Sequence, residues 1–391
     1  MTRPERIQTH PSYDAVIVGA GVIGLATGWR AAQRGLRTLV LDAAEPGAGA
    51  TRAAAGMLAP VTEAAFGEEE LLALNLSSAG RYERFVSELE SEAEFAVGYR
   101  ACGTLAVALD RDEAELLARL HAFQVSLGLE AEWLRGSECR KLEPGLSPRV
   151  VGGIRTTADH EVDPRALSAA LACALDRAGG ELRGHTAVAS LVQDGGRVEG
   201  VELESGDRIT AAEVVVASGW RSGEMEGLPE HARVPVRPVK GQILRLRGPR
   251  SAPVVSRVVR TPEVYLVPRE NGELVVGATV EERGTNQSVT AGGVLELLRR
   301  AYEALPGITE LELAETSAGL RPCSPDNKPI VGRGALAGLV WATAHWRNGI
   351  LLAPVTADAV AALLAGDDPG AELRAFTPDR FTSRAALEAT R

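Results

Sequence analysis

The stretch YDAVIVGAGVIGLATGWRAAQRGLRTLVLD, residues 13–42, decides the fold. It opens on the apolar run AVIV, which is typical of a buried parallel strand. Gly19, Gly21 and Gly24 follow in GxGxxG spacing at the start of a predicted helix. A second apolar run ends at Asp42. Strand, glycine motif, helix, strand and acid in this order predict a dinucleotide-binding unit of the Rossmann type.

Each part of this unit meets a requirement of a bound dinucleotide. Gly19 permits a tight turn, Gly21 lets the backbone approach a pyrophosphate, and Gly24 lets the helix pack closely on the strand. The helix N-terminus offers unpaired N–H groups to the phosphates. Asp42 is placed to accept hydrogen bonds from ribose hydroxyl groups. The pattern therefore favours a nucleotide site over a glycine turn without a ligand.

The residues that follow bear on whether the dinucleotide is NAD or FAD. Residues 43–60 form a long run of small residues, where an NAD domain usually enters another helix. A backbone this bare can lie against a flat ring system. Far along the chain, the apolar run 214–217 is followed by Ser218 and Gly219, which gives a second strand end and loop. These two features together suit the longer cofactor.

The bulk composition limits the partners and the location of the protein. The 391 residues suit two domains, and the net charge of -10, without a basic stripe, makes nucleic acid an unexpected partner. The four cysteines form no CxxC pair, so we expect no metal site, no disulfide framework and a reducing cytoplasm. The polar N-terminus predicts no signal peptide. The sequence shows no apolar run of about 18 residues, so no membrane span is expected.

A set of longer motifs resembles a known family. In chain order they are AAAGMLAP, VVVASG, PVKGQ, YLVPR with GELVVGAT, AGLRPCSPDNKPIVG and HWRNGILLAP. With the glycine motif they span most of the chain, from about Tyr13 to Phe376, and they resemble the FAD-dependent D-amino-acid oxidase superfamily. Within that superfamily the chain is similar to the bacterial glycine oxidases, which are associated with making the thiazole of thiamine.

The resemblance implies an α/β fold with two interleaved parts. The first is a Rossmann-like FAD-binding domain of the glutathione-reductase and D-amino-acid-oxidase type, expected over residues 13–90, 155–227 and 319–391. The second is an α+β substrate domain on a mostly antiparallel sheet, expected over residues 91–154 and 228–318.

The resemblance also assigns cofactor contacts residue by residue. It places the phosphates near Val22 and Ile23, the flavin along residues 55–57, and the adenine at the backbone of Val188. With the residues singled out above, the implied FAD contacts are Gly19, Gly21, Val22, Ile23, Gly24, Asp42, Ala43, Ala50, Thr51, Ala55, Gly56, Met57, Val188, Ser218, Gly219, His345, Trp346, Arg347, Asn348, Gly349, Ile350 and Leu351.

We expect FAD to be held without a covalent bond. Some relatives tie FAD to a cysteine, and the corresponding position in this chain is Gly319. Cys323 lies nearer to the proline of the SPD motif and is interpreted as an ordinary small residue.

The stretch HWRNGILLAPVTADAV, residues 345–360, predicts a buried helix that begins between Gly349 and Pro354. The positive end of such a helix can point at the flavin and favour its reduction. His345 is expected to position this loop rather than to act as a base. Arg347 needs an anionic partner there, and a substrate carboxylate could supply one.

The same reasoning identifies the residues expected to bind and orient the substrate. Arginine matches a carboxylate with two hydrogen bonds, and Arg321 lies in an apolar segment where it needs a partner. The resemblance maps the substrate-binding arginines onto Arg321 and Arg347 and the pocket tyrosine onto Tyr265. These three are the predicted catalytic residues. Val280 is a further predicted pocket residue, where relatives are expected to carry a methionine.

The resemblance implies an oxidase that converts glycine, O2 and water to glyoxylate, ammonia and hydrogen peroxide, with small amines or D-amino acids as further substrates. One alternative is an FAD-dependent dehydrogenase of D-amino acids or secondary amines that uses an acceptor other than oxygen. Another is a flavoprotein that acts on a macromolecule or serves as a scaffold. A homotetramer is implied by the resemblance alone.

Overall fold

The computed structural model describes residues 12–381. In this part of the chain, the strands and α-helices are, in chain order, β1 Tyr13–Val18, α1 Val22–Gln33, β2 Thr38–Leu41, α2 Ala50–Ala53, β3 Met57–Leu58, α3 Glu69–Ala93, β4 Thr104–Ala108, α4 Arg111–Ser126, β5 Glu132–Arg135, α5 Gly136–Leu142, β6 Gly152–Thr156, β7 His160–Glu161, α6 Pro164–Arg177, β8 Glu181–Arg183, β9 Val188–Asp194, β10 Arg197–Leu203, β11 Arg208–Val216, β12 Arg237–Arg247, β13 Val258–Arg260, β14 Tyr265–Pro268, β15 Glu273–Gly277, α7 Ala291–Ala304, β16 Glu312–Cys323, β17 Ile330–Arg333, β18 Leu339–Thr343 and α8 Ala353–Ala365.

The first sheet contains the predicted dinucleotide unit. Its strand order is β17-β18-β11-β1-β2-β8, and the meander β9-β10 joins it through β11. The strands β18, β11, β1, β2 and β8 run parallel, so their carboxyl ends share one edge. Val18 lies beside Val216 and Leu41 in this register. The glycine motif, Asp42 and Ser218 therefore emerge together, at the edge where α/β sheets bind ligands.

Alternating side chains of the first sheet fill two cores. Ile17 of β1 packs with Leu25 and Trp29 of α1 on one face. Val16 and Val18 point to the other face, where they pack with the meander. This alternation follows from the two-residue period of a strand. Because both faces are covered, β1 is apolar and buried from Ala15 to Val18, as the AVIV run suggested.

The second sheet has the strand order β16-β12-β15-β14-β13-β4-β6-β5. Its pairings are antiparallel except for β4 with β13, which is parallel. One face packs on α7 through Leu297 and Ala301. The other face closes over the ligand edge of the first sheet.

The predicted domain boundary between residues 318 and 319 falls inside β16. This strand pairs with β12 over its whole length, from Glu312 opposite Arg247 to Cys323 opposite Arg237. Arg321 is therefore held on the second sheet, opposite Val239. The last residues of the predicted FAD domain, 382–391, lie outside the described part of the chain.

Candidate active site

A cavity of about 830 Å³ lies between the ligand edge of the first sheet and the second sheet. Its volume is typical of sites for small molecules and cofactors. One end is lined by the glycine motif, and the other by Tyr265 and Arg321. The residues between the two ends include the small-residue segment 53–57.

The glycine motif has the geometry that a bound pyrophosphate requires. Gly19 adopts φ +108°, and a Cβ there would lie 2.6 Å from the carbonyl oxygen of Ala217. A Cβ on Gly24 would lie 1.8 Å from the carbonyl oxygen of Gly19, so helix and turn touch at this point. At Gly21 a Cβ would meet only the Thr51 hydroxyl, at 3.4 Å, and this residue faces the cavity.

The N-cap residue of α1, Gly21, has no side chain to cap the helix, and the first turn carries no acidic residue. The backbone N–H of Val22 donates to the Thr51 hydroxyl at 3.0 Å, which leaves the next N–H groups for a ligand. Val22 and Ile23 of this turn line the cavity. Unpaired N–H groups and the helix dipole attract an anion. The residues present therefore fit the diphosphate of a dinucleotide.

Asp42 organises the turn that would hold the ribose. Its Oδ2 accepts a hydrogen bond from the backbone N–H of Ala20 at 2.7 Å, and its Oδ1 accepts one from that of Ala44 at 2.9 Å. Each carboxylate oxygen has a second lone pair that can accept from a ribose hydroxyl. The predicted role of Asp42 is thus compatible with its contacts.

Bare backbone lines the middle of the cavity, where a flat ring would lie. Gly56 adopts φ +79°, and a Cβ there would lie 2.0 Å from the carbonyl oxygen of Val162. Behind it, the buried guanidinium of Arg269 donates a hydrogen bond to the carbonyl oxygen of Ala55 and lies 3.5 Å from Glu161. Sequence reasoning quoted Arg269 within YLVPR but gave it no role.

Most of the predicted FAD contacts line this cavity, and Gly24, Asn348 and Leu351 do not. Gly24 is covered by the turn of Gly19. The backbone of Asn348 bonds to His345 at 2.9 Å and to Leu352 at 2.8 Å, and the carbonyl of Leu351 accepts from Ser78 at 2.6 Å. These residues shape the loop from behind.

The predicted helix near the C-terminus is confirmed. It starts at Ala353 with Pro354 in its first turn, and it has neither a side-chain cap nor an acidic first turn. Just before it, the buried His345 shares a 3.0 Å hydrogen bond with the hydroxyl of Thr356. Burial lowers the pKa of the His345 imidazole to about 3. The ring is therefore neutral at physiological pH, which suits a positioning role better than that of a base.

Arg321 and Tyr265 lie together at the substrate end of the cavity. The Arg321 guanidinium donates a hydrogen bond to the carbonyl oxygen of Thr279 at 3.1 Å. Burial raises the pKa of the Tyr265 hydroxyl, and the nearby positive charge of Arg321 partly opposes this shift. A neutral phenol that can donate thus stands beside a fixed cation. A small carboxylate fits such a pair.

Two glycines make room for this pair, and sequence reasoning assigned them no role. A Cβ on Gly241 would lie 2.2 Å from Nη1 of Arg321. A Cβ on Gly277 would lie 2.5 Å from the Tyr265 hydroxyl. Gly241 lies in the motif PVKGQ and Gly277 in the motif GELVVGAT, and this placement is the sequence feature that could have identified them.

Arg347 also lines the cavity, but it has partners within the protein. Its Nε lies 3.5 Å from Glu63, and its Nη2 lies 3.5 Å from Glu68. Protein carboxylates therefore also supply anionic partners for Arg347, and its contact with a substrate carboxylate stays a prediction. Val280 lines the cavity too, with a side chain that is 69% exposed.

Cys323 is buried away from the cavity. Its thiol contacts the carbonyl oxygen of Ser324 at 3.3 Å and Oδ1 of Asn327 at 3.5 Å. Gly319 does line the cavity, next to Ala53. This arrangement supports a cofactor held without a covalent bond.

Over residues 12–381, the helices are too short or too polar to cross a membrane. The same residues contain no cluster of three or more His, Cys, Asp or Glu side chains that could hold a metal ion.

Comparison with known proteins decides the family. Residues 14–363 match the model of the FAD dependent oxidoreductase family, DAO. The chain belongs to this family. FAD is accordingly its cofactor, and the predicted fold class is confirmed.

The glycine oxidase of Geobacillus kaustophilus is 33% identical over 383 residues, which cover 96% of this chain and 99% of that protein. The crystal structure of glycine oxidase from the same species matches with a TM-score of 0.88, at 32% identity, over 94% of this chain and 99% of the other. The bifunctional protein ThiO/ThiG of Trichormus variabilis is 36% identical over 376 residues, 95% of this chain but 56% of its own length. This chain thus spans about half the length of such bifunctional relatives.

Proposed function

We propose that this DAO-family enzyme oxidises glycine to glyoxylate, with ammonia and hydrogen peroxide as the other products. Arg321 and Tyr265 lie together at one end of a cavity whose other end is lined by the glycine motif, and this arrangement is the main support for the proposal. The similarity to glycine oxidase over almost its whole length supports it. Small amines and D-amino acids are proposed as further substrates.

The protein's own residues would fix the substrate in one orientation. Arg321 pairs with the carboxylate, and the Tyr265 hydroxyl donates a hydrogen bond to it. Arg347 and Val280 border the remaining space. Holding the reacting carbon in place is the contribution that such a pocket makes to the rate. FAD, when bound, would supply the redox chemistry by which two electrons pass from glycine to O2.

The two parts of the fold would divide this work. The first sheet with its helices would bind FAD, and the second sheet would present the substrate residues. Tyr265 on β14 and Arg321 on β16 support this division. We also propose that the FAD is held without a covalent bond.

An oxygen electrode tests the reaction. With glycine and FAD present, we expect oxygen consumption matched by glyoxylate and peroxide in equal amounts. If glycine reduces the flavin but oxygen is not consumed, the enzyme is a dehydrogenase instead. The similarity to proteins named glycine oxidase favours the oxidase.

We further propose a role in making the thiazole of thiamine, a cytoplasmic location and a homotetramer. The family resemblance supports the role in thiazole synthesis and the homotetramer. Cys102, Cys139, Cys173 and Cys323 are all unpaired, which is compatible with a reducing compartment. Analytical ultracentrifugation of the purified enzyme tests the tetramer.

A further inference from the structure

A third arginine and a carboxylate lie on the same cavity as Arg321 and Arg347. Glu63 stands between Arg260 and Arg347: its Oε1 lies 3.5 Å from Nη1 of Arg260, and its Oε2 lies 3.5 Å from Nε of Arg347. All three line the cavity, and the Glu63 side chain is only 12% exposed. Two arginines thus lie near one carboxylate, each closest to a different oxygen, on the cavity proposed to bind the substrate.

Glu63 is held there mainly by its loop. The buried carboxylate of Asp159 accepts hydrogen bonds from the backbone N–H groups of Val61 at 2.9 Å and Thr62 at 3.2 Å. Arg260 donates to the carbonyl oxygen of Thr62 at 3.0 Å. The loop is therefore fixed next to Glu63, whatever the charge on the Glu63 side chain.

The contacts of Glu63 with its two arginines are loose. Charge-assisted hydrogen bonds between nitrogen and oxygen are usually about 2.7–2.9 Å long, and those of Glu63 are 3.5 Å. Among the other carboxylates that line the cavity, Glu263 pairs with Arg300 of α7 and Glu226 pairs with Arg233. Glu63 is thus the cavity carboxylate that faces Arg260 and Arg347.

We propose that Glu63 is a specificity residue that fills, as a built-in carboxylate, a second carboxylate subsite formed by Arg260 and Arg347. With Glu63 charged, the pocket takes amino acids with one carboxylate, because a second carboxylate meets a like charge. With a glutamine in place of Glu63, Arg260 and Arg347 no longer face that carboxylate, and a dicarboxylic amine such as iminodiacetate can bind between them. This inference rests on the proposed binding of the first carboxylate by Arg321.

Binding of ligands that cannot react tests the subsite without turnover. The FAD-loaded wild type and the Glu63→Gln variant are titrated with acetate, malonate and succinate by calorimetry and by flavin absorbance. We expect the affinity for malonate or succinate, relative to that for acetate, to be about tenfold or more higher in Glu63→Gln than in the wild type. The reason is that a like charge is removed from between two arginines. Retained flavin absorbance shows that the variant is folded.

Two variants serve as controls. Glu68→Gln removes the other carboxylate near Arg347, from a residue that does not line the cavity, and should not change the diacid-to-acetate ratio. Adding Arg260→Met to Glu63→Gln should abolish the gain. An unchanged ratio in Glu63→Gln, an equal gain in Glu68→Gln, or a gain that survives Arg260→Met overturns the proposal.

Turnover gives a second readout. Iminodiacetate, water and O2 would yield glycine, glyoxylate and hydrogen peroxide, with the secondary amine oxidised and O2 reduced. We expect the ratio of kcat/KM for iminodiacetate to that for glycine to rise in Glu63→Gln. Failure of the wild type to oxidise glycine would refute the proposed function, whereas the ligand-binding ratios would still decide the role of Glu63.

Discussion

At the level of single residues, the substrate end of the cavity depends on two strand positions that carry no side chain. Gly241 leaves the space in which the guanidinium of Arg321 lies, and Gly277 leaves the space for the ring of Tyr265. In a β-strand a glycine usually weakens packing, so its use here indicates a close approach. The position of the proposed carboxylate pair is therefore set by its neighbours as much as by Arg321 and Tyr265 themselves.

Gly241→Ala should impair glycine oxidation while leaving FAD bound. The new Cβ would lie 2.2 Å from Nη1 of Arg321 and must displace it. A displacement of about 1 Å can lower the rate about a hundredfold. We therefore expect kcat/KM to fall by about ten- to a hundredfold, mainly through a higher KM. Gly80→Ala, where a Cβ meets nothing within 4 Å, is the control. Unchanged kinetics in Gly241→Ala would contradict the account.

The buried His345 should make the stability of the protein fall more steeply as the pH is lowered. Because burial lowers its pKa to about 3, from 6.5, its contribution to stability is complete above pH 6.5 and is lost as the pH falls toward 3. We expect the Tm of the wild type to drop faster than that of His345→Gln over this range. Parallel curves of Tm against pH would show that the imidazole is not kept neutral by burial.

At the level of elements, the first strand–helix turn uses its glycines for different purposes. Gly24 lets α1 touch the turn, whereas Gly21 has space around it and faces the cavity. The same spacing in the sequence thus combines a packing requirement with a ligand requirement. The two can be separated by substitution.

Gly24→Ala and Gly21→Ala should have different effects. A Cβ on Gly24 would lie 1.8 Å from a carbonyl oxygen, so we expect a loss of about 3 kcal/mol or more in the free energy of unfolding. Gly21→Ala should fold with near-normal stability but bind FAD about tenfold more weakly or worse, since the backbone can no longer approach the pyrophosphate. Thermal unfolding of the apoprotein and FAD titration measure the two effects. Tight FAD binding by Gly21→Ala would argue against the assigned phosphate site.

Asp159, which accepts hydrogen bonds from the loop 59–66, should give the stability a pH dependence opposite in sign to that of His345. Burial raises the pKa of Asp159 to about 6, from 3.8, and its hydrogen bonds from the loop oppose the shift. Its contribution to stability is therefore complete below pH 3.8 and is lost as the pH rises through 6. The Tm of the wild type relative to Asp159→Asn should fall between pH 4 and pH 7. A difference that rises over this range would show that the charged form is the favoured one.

At the level of the whole molecule, two sheets whose strands interleave along the chain enclose one cavity. Periodicity and spacing predicted the strand, turn and helix around Gly19 because these signals are local. Arg321 and Tyr265 could be named from motifs, although only the fold brings them together. The cavity between the sheets is the feature that joins cofactor and substrate residues.

Other parts of the site could not be predicted because they depend on contacts between distant segments. Glu63 and Arg260 lie in stretches with no motif, and each gains meaning only from the other's position. The role of Gly241 depends on the register of β12 with β16. The contact of Arg347 with Glu63 could not be predicted either, because the two residues lie far apart in the chain.

The proposed reaction depends on Arg321 binding the substrate carboxylate in a cavity that also holds FAD. The most direct test is anaerobic mixing of glycine with the FAD-loaded wild type and the Arg321→Met variant, followed through the flavin absorbance. We predict that glycine bleaches the wild type and that the apparent rate constant per unit of glycine falls by about a hundredfold or more in the variant, with FAD still bound. Equal bleaching of both proteins would contradict the account.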